Sequence, residues 1–217
     1  MERILGFVES SDGNVQVIVD PLLATGSQIY KLLIGSVVPR PIAFVSTVSM
    51  TGARNLAPFS FFNAICGEPP IICFSTAMRD PRKDTYLNIR ATSEFVVNIV
   101  GEEIEQQMNL ASGEYPRGVD EFEISGLTPV KSDLIRPPRV LESPVSMECR
   151  LIQILDVSAR PRGASLIIGK VVRFHIDDRV IDENFHIDPE KLRAIGRMGG
   201  NMYTRTRDRF EMVRPKV

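Results

Sequence analysis

The chain has 217 residues, 43% of them hydrophobic, which is enough to bury a sizeable core and fits one large domain or two small ones, of which the single domain is favoured. Its 26 Lys and Arg against 27 Asp and Glu leave a net charge of −1, which excludes the broad basic field that nucleic acid or an acidic membrane surface requires. Three scattered cysteines, Cys66, Cys73 and Cys149, exclude a disulfide framework and a zinc site, and together with the absence of any run near the ~18 apolar residues of a membrane span they predict a cytoplasmic protein without a metal.

Short runs rich in Val, Ile and Phe, broken by Gly, Pro and Asn, recur along most of the chain and predict a mainly β fold with peripheral helices. In chain order the runs predict a strand over 14–20, a helix over 27–35 and a strand over 41–48. The Thr51-Gly52 turn then returns the chain antiparallel through 55–57. A strand over 69–76, a helix over 82–91 and a strand over 94–100 follow. In the helix predicted over 102–111, Ile104, Met108 and Ala111 recur at helical spacing. Residues 112–144 mix Gly, Pro and charge and read as a long surface excursion. Two long strands, 145–157 and 164–177, complete the set, and their length favours a barrel or a strongly curved sheet. Strand and helix do not alternate regularly and no GxGxxG follows a first strand, which disfavours a doubly wound dinucleotide-binding fold; there is no Walker A motif either.

Two stretches carry chemistry. The segment "MRDPRKDTYLNI" (78–89) gathers Arg79, Arg82 and Lys83 at a predicted helix start, where the positive end of the helix dipole disfavours cations unless an anion joins them. Asp80 suits the N-cap and Pro81 the first helical position, which brings Lys83, Asp84 and Thr85 into the first turn. Free amides, a hydroxyl and cations make a seat for phosphate, while the plainer reading is an exposed helix start paired to Asp80 and Asp84. The second stretch, 37–65, combines Ser46, Thr47, Ser60 and Asn63 with Phe59, Phe61 and Phe62. Apolar walls with a few polar groups suit a flat heteroaromatic ligand, and they equally suit a Phe-rich core with turn hydroxyls. Cys66 and Cys73 read as small core residues.

Four ordered motifs, "GSVVPRPIAFVST", "NLAPFSFFN", "RKDTYLNI" and "GKVVRFHIDD", closely resemble the flavin reductase-like family of FMN-binding split-barrel proteins, which includes flavoredoxin and the reductase partners of two-component monooxygenases. The resemblance covers about residues 30–205 and implies a single domain, a six-stranded antiparallel split barrel that forms a homodimer and binds FMN near the subunit interface. It implies that Ser46, Thr47, Asn55, Leu56 and Ala57 contact the flavin ring edge and ribityl chain, that Ser60 and Phe61 line the same face, and that Lys83, Asp84 and Thr85, helped by Arg79, hold the phosphate. It places His175 near the flavin or the nicotinamide, against the plainer reading of a packed strand histidine, and it brings Arg197 and Tyr203, which bracket Gly199-Gly200, over the ligand. The implied activity is NAD(P)H:flavin oxidoreduction with NADH or NADPH as reductant and a monooxygenase or other electron-acceptor protein as partner. The alternative is a flavoredoxin-like electron carrier that does not oxidise pyridine nucleotide efficiently.

Overall fold

The computed structural model describes residues 5–9 and 15–215. In chain order the elements are β1 (Leu5–Glu9), β2 (Val15–Val19), α1 (Gly26–Ser36), β3 (Ala43–Val48), β4 (Arg54–Phe59), β5 (Phe62–Gly67), β6 (Pro70–Ala77), α2 (Asp84–Thr92) and β7 (Glu94–Ile99). They continue with α3 (Glu105–Ala111), α4 (Glu121–Ser125), β8 (Pro129–Val130), β9 (Arg139–Val140), β10 (Val145–Asp156), β11 (Ala164–Ile176), α5 (Pro189–Leu192), β12 (Ile195–Arg197) and β13 (Tyr203–Arg205). Each predicted strand and helix has a counterpart within about two residues, except that the helix predicted over 102–111 starts as a 3-10 turn (Glu102–Ile104) and becomes α-helical only at Glu105. Asn14, at the start of the first predicted strand, lies outside the described residues.

The main sheet has seven strands in the order β4-β3-β7-β10-β11-β6-β5, every neighbouring pair antiparallel. The expected count of six is therefore corrected by one: β5, hidden behind the Phe-rich run, adds an edge strand next to β6. The two edges, β4 and β5, follow one another in the chain with only Ser60 and Phe61 between them, so the sheet curls until its edges meet at that link. Among the described residues no ladder joins β4 to β5, which leaves the barrel open along this seam. Register shifts in the β10–β11 pair, at Glu148/Cys149 and Leu151/Gln153, supply the extra local twist that long strands need to bend around a core.

Inside the curl lies a cluster built from alternate strand positions, including Val45, Phe59, Phe74, Phe95, Val97 and Ile167. Phe74 stands 4.9 Å from Phe59 and 5.6 Å from Phe95 between ring centroids, tilted and edge-on respectively, an arrangement worth about 0.5–1.5 kcal/mol per pair beyond area burial. A second cluster sits under α3 and α4 and includes Phe44, Leu56, Met108, Phe122, Leu127 and Val140. Its last three members come from 112–144, so the predicted surface excursion in fact roofs half of the core. Cys66 is exposed and Cys73 half-buried, and only Cys149 is a core residue, which corrects the reading of the first two.

Candidate functional site

Helix α2 begins at Asp84, not at Pro81: Lys83 is its N-cap, with extended backbone (φ −61°, ψ 144°) and no side-chain capping bond. The Asp80–Pro81 peptide is cis. Arg82 is drawn away from a helical path, because its guanidinium donates to Ser165 Oγ of β11 at 2.6 Å and lies 3.5 Å from the Tyr86 ring. The first turn of α2 is thus left uncapped, with a basic residue at its mouth.

Two side-chain bonds fix that helix to the sheet. Asn55 on β4 donates to Thr85 Oγ1 at 3.0 Å, and Asn88 on α2 donates to Thr47 Oγ1 on β3 at 3.0 Å. Ser46 bonds the Pro138 carbonyl on its other side. Ser46 and Thr47 are fully buried and line none of the cavities around α2; Thr47 braces that helix through Asn88, and Ser46 is turned to Pro138. The Leu56 side chain is likewise in the core, and its amide donates to Glu121 at 3.0 Å.

Asn55, Ala57, Arg79, Lys83, Asp84 and Thr85 come together around a cavity of about 110 Å³ at the α2 N-terminus. Loop 112–118 closes its outer side through Arg79–Glu114 (3.0 Å) and Arg117–Asp84 (3.5 Å). Lys83 differs from these cations: among the described residues no carboxylate lies within 4.0 Å of it. Its Nζ stands 5.6 Å from the Phe59 ring centre, and burial, then the charge of Arg79, hold its pKa below the ordinary value. Glu121 faces the same cavity, and burial pushes its carboxyl up. Nothing in the sequence singled Glu121 out, because it lies in the segment read as surface.

Pro58 and Lys83 also border a second cavity, of about 610 Å³, between α1, the Ser60–Phe61 link, the end of β6 and loop 158–163. Phe59, Ser60 and Phe61 form its inner wall, and Thr76, 1% exposed, also borders it and has a buried hydroxyl that finds no hydrogen-bond partner among the described residues. A third cavity, of about 210 Å³, shares Tyr30, Pro58 and Ser60 with the second and is lined further by Arg197 and Tyr203, whose guanidinium and ring lie 4.3 Å apart.

His175 stands apart from all three. Its Nε2 lies 2.6 Å from Oε1 of Glu148, which is fully buried and also accepts the Asp133 and Leu134 amides. Burial pushes the Glu148 carboxyl up, but the two amides and His175 together hold it below the ordinary value. Asp133, Glu148 and His175 could in principle offer ligands to a metal, yet both Glu148 oxygens are occupied and Asp133 is paired with Arg173 at 2.7 Å. Within one chain His175 is thus tied to Glu148 and lies apart from the residues gathered around α2.

Residues 34–196 match the family model for the Flavin reductase like domain. Among solved structures, nitrilotriacetate monooxygenase component B from Bacillus cereus is similar at 35% identity, covering 92% of this chain and 100% of its own, with a TM-score of 0.88. The 2-nitrobenzoate 2-nitroreductase NbaA of Pseudomonas fluorescens follows at 33% identity, 91% and 96% coverage and a TM-score of 0.83. A Shewanella frigidimarina protein with a split-barrel domain shares the fold at 21% identity, 97% and 100% coverage and a TM-score of 0.79. With a family match across most of its length, the chain belongs to the flavin reductase-like family of split-barrel proteins.

Proposed function

We propose that the protein binds FMN and acts as an NAD(P)H-dependent flavin reductase. The observation that carries this reading is Lys83, a half-buried cation without a carboxylate partner at an uncapped helix start, beside the Thr85 hydroxyl. Such a site lacks one anion, and a phosphate monoester supplies it. The adjoining 610 Å³ cavity, with Phe59 and Phe61 on its wall and the unpartnered Thr76 hydroxyl beside it, fits a flat ring with a polar edge. When bound, FMN supplies the redox chemistry, taking a hydride from a reduced nicotinamide. The chain's own residues have limited tasks. Lys83, Thr85 and the first amides of α2 hold the phosphate; Asn55 and Thr47 keep that helix in place; Phe59, Ser60 and Phe61 bury and orient the ring. No nucleophile or acid–base pair is needed.

The reading includes a homodimer. Helix α1 buries none of its residues and exposes Tyr30, Leu32 and Leu33, while β10 exposes Ile152 and Leu155, an apolar surface suited to a second copy. It also includes an oxygenase as electron acceptor, by similarity to the monooxygenase component from Bacillus cereus. The test is direct: purified protein takes up FMN, gains a flavin spectrum and oxidises NADH or NADPH in its presence. Protein that neither takes up FMN nor oxidises either nucleotide overturns the function, and FMN uptake without nucleotide oxidation leaves the electron carrier.

A further inference from the structure

Arg40 is 5% exposed and, among the described residues, makes four hydrogen bonds, none to a carboxylate. Its Nη1 donates to the Ile34 and Val37 carbonyls (2.8 and 2.7 Å), Nη2 to the Met198 carbonyl (3.0 Å) and Nε to Ser60 Oγ (3.4 Å). These acceptors are neutral, and one N–H of its five is left over. The backbone of Arg40 is bonded to that of Arg197 in both directions (2.9 and 2.8 Å), so a second guanidinium stands beside the first. Arg197 donates to the Gly200 carbonyl and also has no carboxylate within 4.0 Å among the described residues. Burial lowers the Arg40 pKa, Tyr30 offsets part of that, and the charge of Arg197 adds a smaller lowering. Two adjacent cations without a counterion are unfavourable unless an anion joins them.

Both arginines line the 210 Å³ cavity, which lies between two larger ones. On one side it shares Tyr30, Pro58 and Ser60 with the 610 Å³ cavity assigned to the flavin ring. On the other it shares Met108, Ser112, Arg197 and Tyr203 with a cavity of about 670 Å³ lined by Gln106, Asn109 and Asn201. The series runs from apolar wall to paired cations to amide side chains, and a dinucleotide presents the matching series of ring, diphosphate and nucleoside.

We propose that Arg40 and Arg197 form a second anion site, which takes the diphosphate of the nicotinamide dinucleotide while its nucleoside end lies toward Gln106, Asn109 and Asn201. The inference rests on the flavin reductase reading, but its test does not depend on turnover. ADP-ribose, which has the diphosphate and adenosine but neither flavin nor nicotinamide, is titrated calorimetrically into the protein before and after saturation with FMN. The site predicts binding in both states, without displacement of FMN. Arg197→Gln weakens it about 10- to 100-fold, the loss of one charge-assisted contact, and Asn201→Glu, a carboxylate placed on an exposed position of the same cavity, weakens it at least tenfold. Absence of ADP-ribose binding to the wild-type protein, wild-type affinity in a folded variant, or displacement of FMN by ADP-ribose overturns the second site. A protein that binds ADP-ribose but never FMN keeps this site and loses the flavin reading instead.

Discussion

Asn55 of β4 reaches across to Thr85 of α2 at 3.0 Å, and the two side chains are 5% and 1% exposed. A ligand bond to Thr85 is thereby tied to the strand that continues into the Ser60–Phe61 link, so the two ends of the proposed flavin site share one rigid support. The Thr85 hydroxyl accepts from Asn55 and keeps its own proton free to donate to a phosphate oxygen.

Lys83→Ala and Thr85→Ala therefore weaken FMN by about 10- to 100-fold each, the range for a lost charge-assisted hydrogen bond, and hardly change the affinity for riboflavin. Flavin fluorescence titrations of both ligands read the difference. Equal losses for FMN and riboflavin would mean that these residues shape the site without holding a phosphate.

The strands were legible because β-branched and aromatic residues recur at short spacing and turn residues separate them, and the "RKDT" segment was legible because cations crowd a helix start. What stayed hidden depended on partners distant in the chain. Ser46 and Thr47 look like ligand contacts, yet which way a strand hydroxyl is used is decided by Pro138 and Asn88. Asp80 has the chemistry of an N-cap, but the pull of Ser165 and Tyr86 on Arg82 delays the helix to Asp84. Glu121 and Phe122 were lost in a segment whose Gly, Pro and charge content masks two buried side chains.

Asn98 on β7 is a structural hub. It is fully buried, donates to the Phe44 carbonyl at 2.9 Å, and accepts from the Val140 amide at 3.0 Å and Ser146 Oγ at 2.8 Å. Asn98→Leu leaves three buried groups without partners, at about 1–3 kcal/mol each. Urea unfolding shows a loss of about 3 kcal/mol or more, with FMN affinity of the folded fraction unchanged.

Gly169 sits in β11 against the Phe95 ring. A Cβ added there lies 2.8 Å from Phe95 Cε1 and closer still to Cζ, and Phe95 is fully buried with no room to yield. Gly169→Ala costs about 1–3 kcal/mol of overpacking strain, more than an alanine in a strand returns by propensity. The double variant with Phe95→Leu recovers part of that loss in thermal melts; no recovery would show that the backbone, not the ring, resents the methyl group.

The C-terminal hairpin is held by charge. Glu102, whose side chain is 7% exposed, is bonded by Arg207, by Arg193 at 2.9 Å and more distantly by Arg205 at 3.5 Å. The Arg207 hydrogen bonds, followed by those of Arg193, outweigh burial and hold its carboxyl at about 2, against an ordinary 4.5. A carboxyl depressed in the folded state stabilises it fully above the unfolded value and loses that contribution as pH falls through the folded one. The fastening of β12–β13, and with it Arg197 and Tyr203, is therefore intact above pH 4.5 and released progressively toward pH 2. The protection factors of the Gly196 and Thr204 amides, their exchange rates divided into the intrinsic rates at each pH, fall over that window in the wild-type protein. In Glu102→Gln the same amides exchange faster already at neutral pH, with a flatter dependence on acid. An identical pH profile in the variant would show that some other carboxylate holds the hairpin.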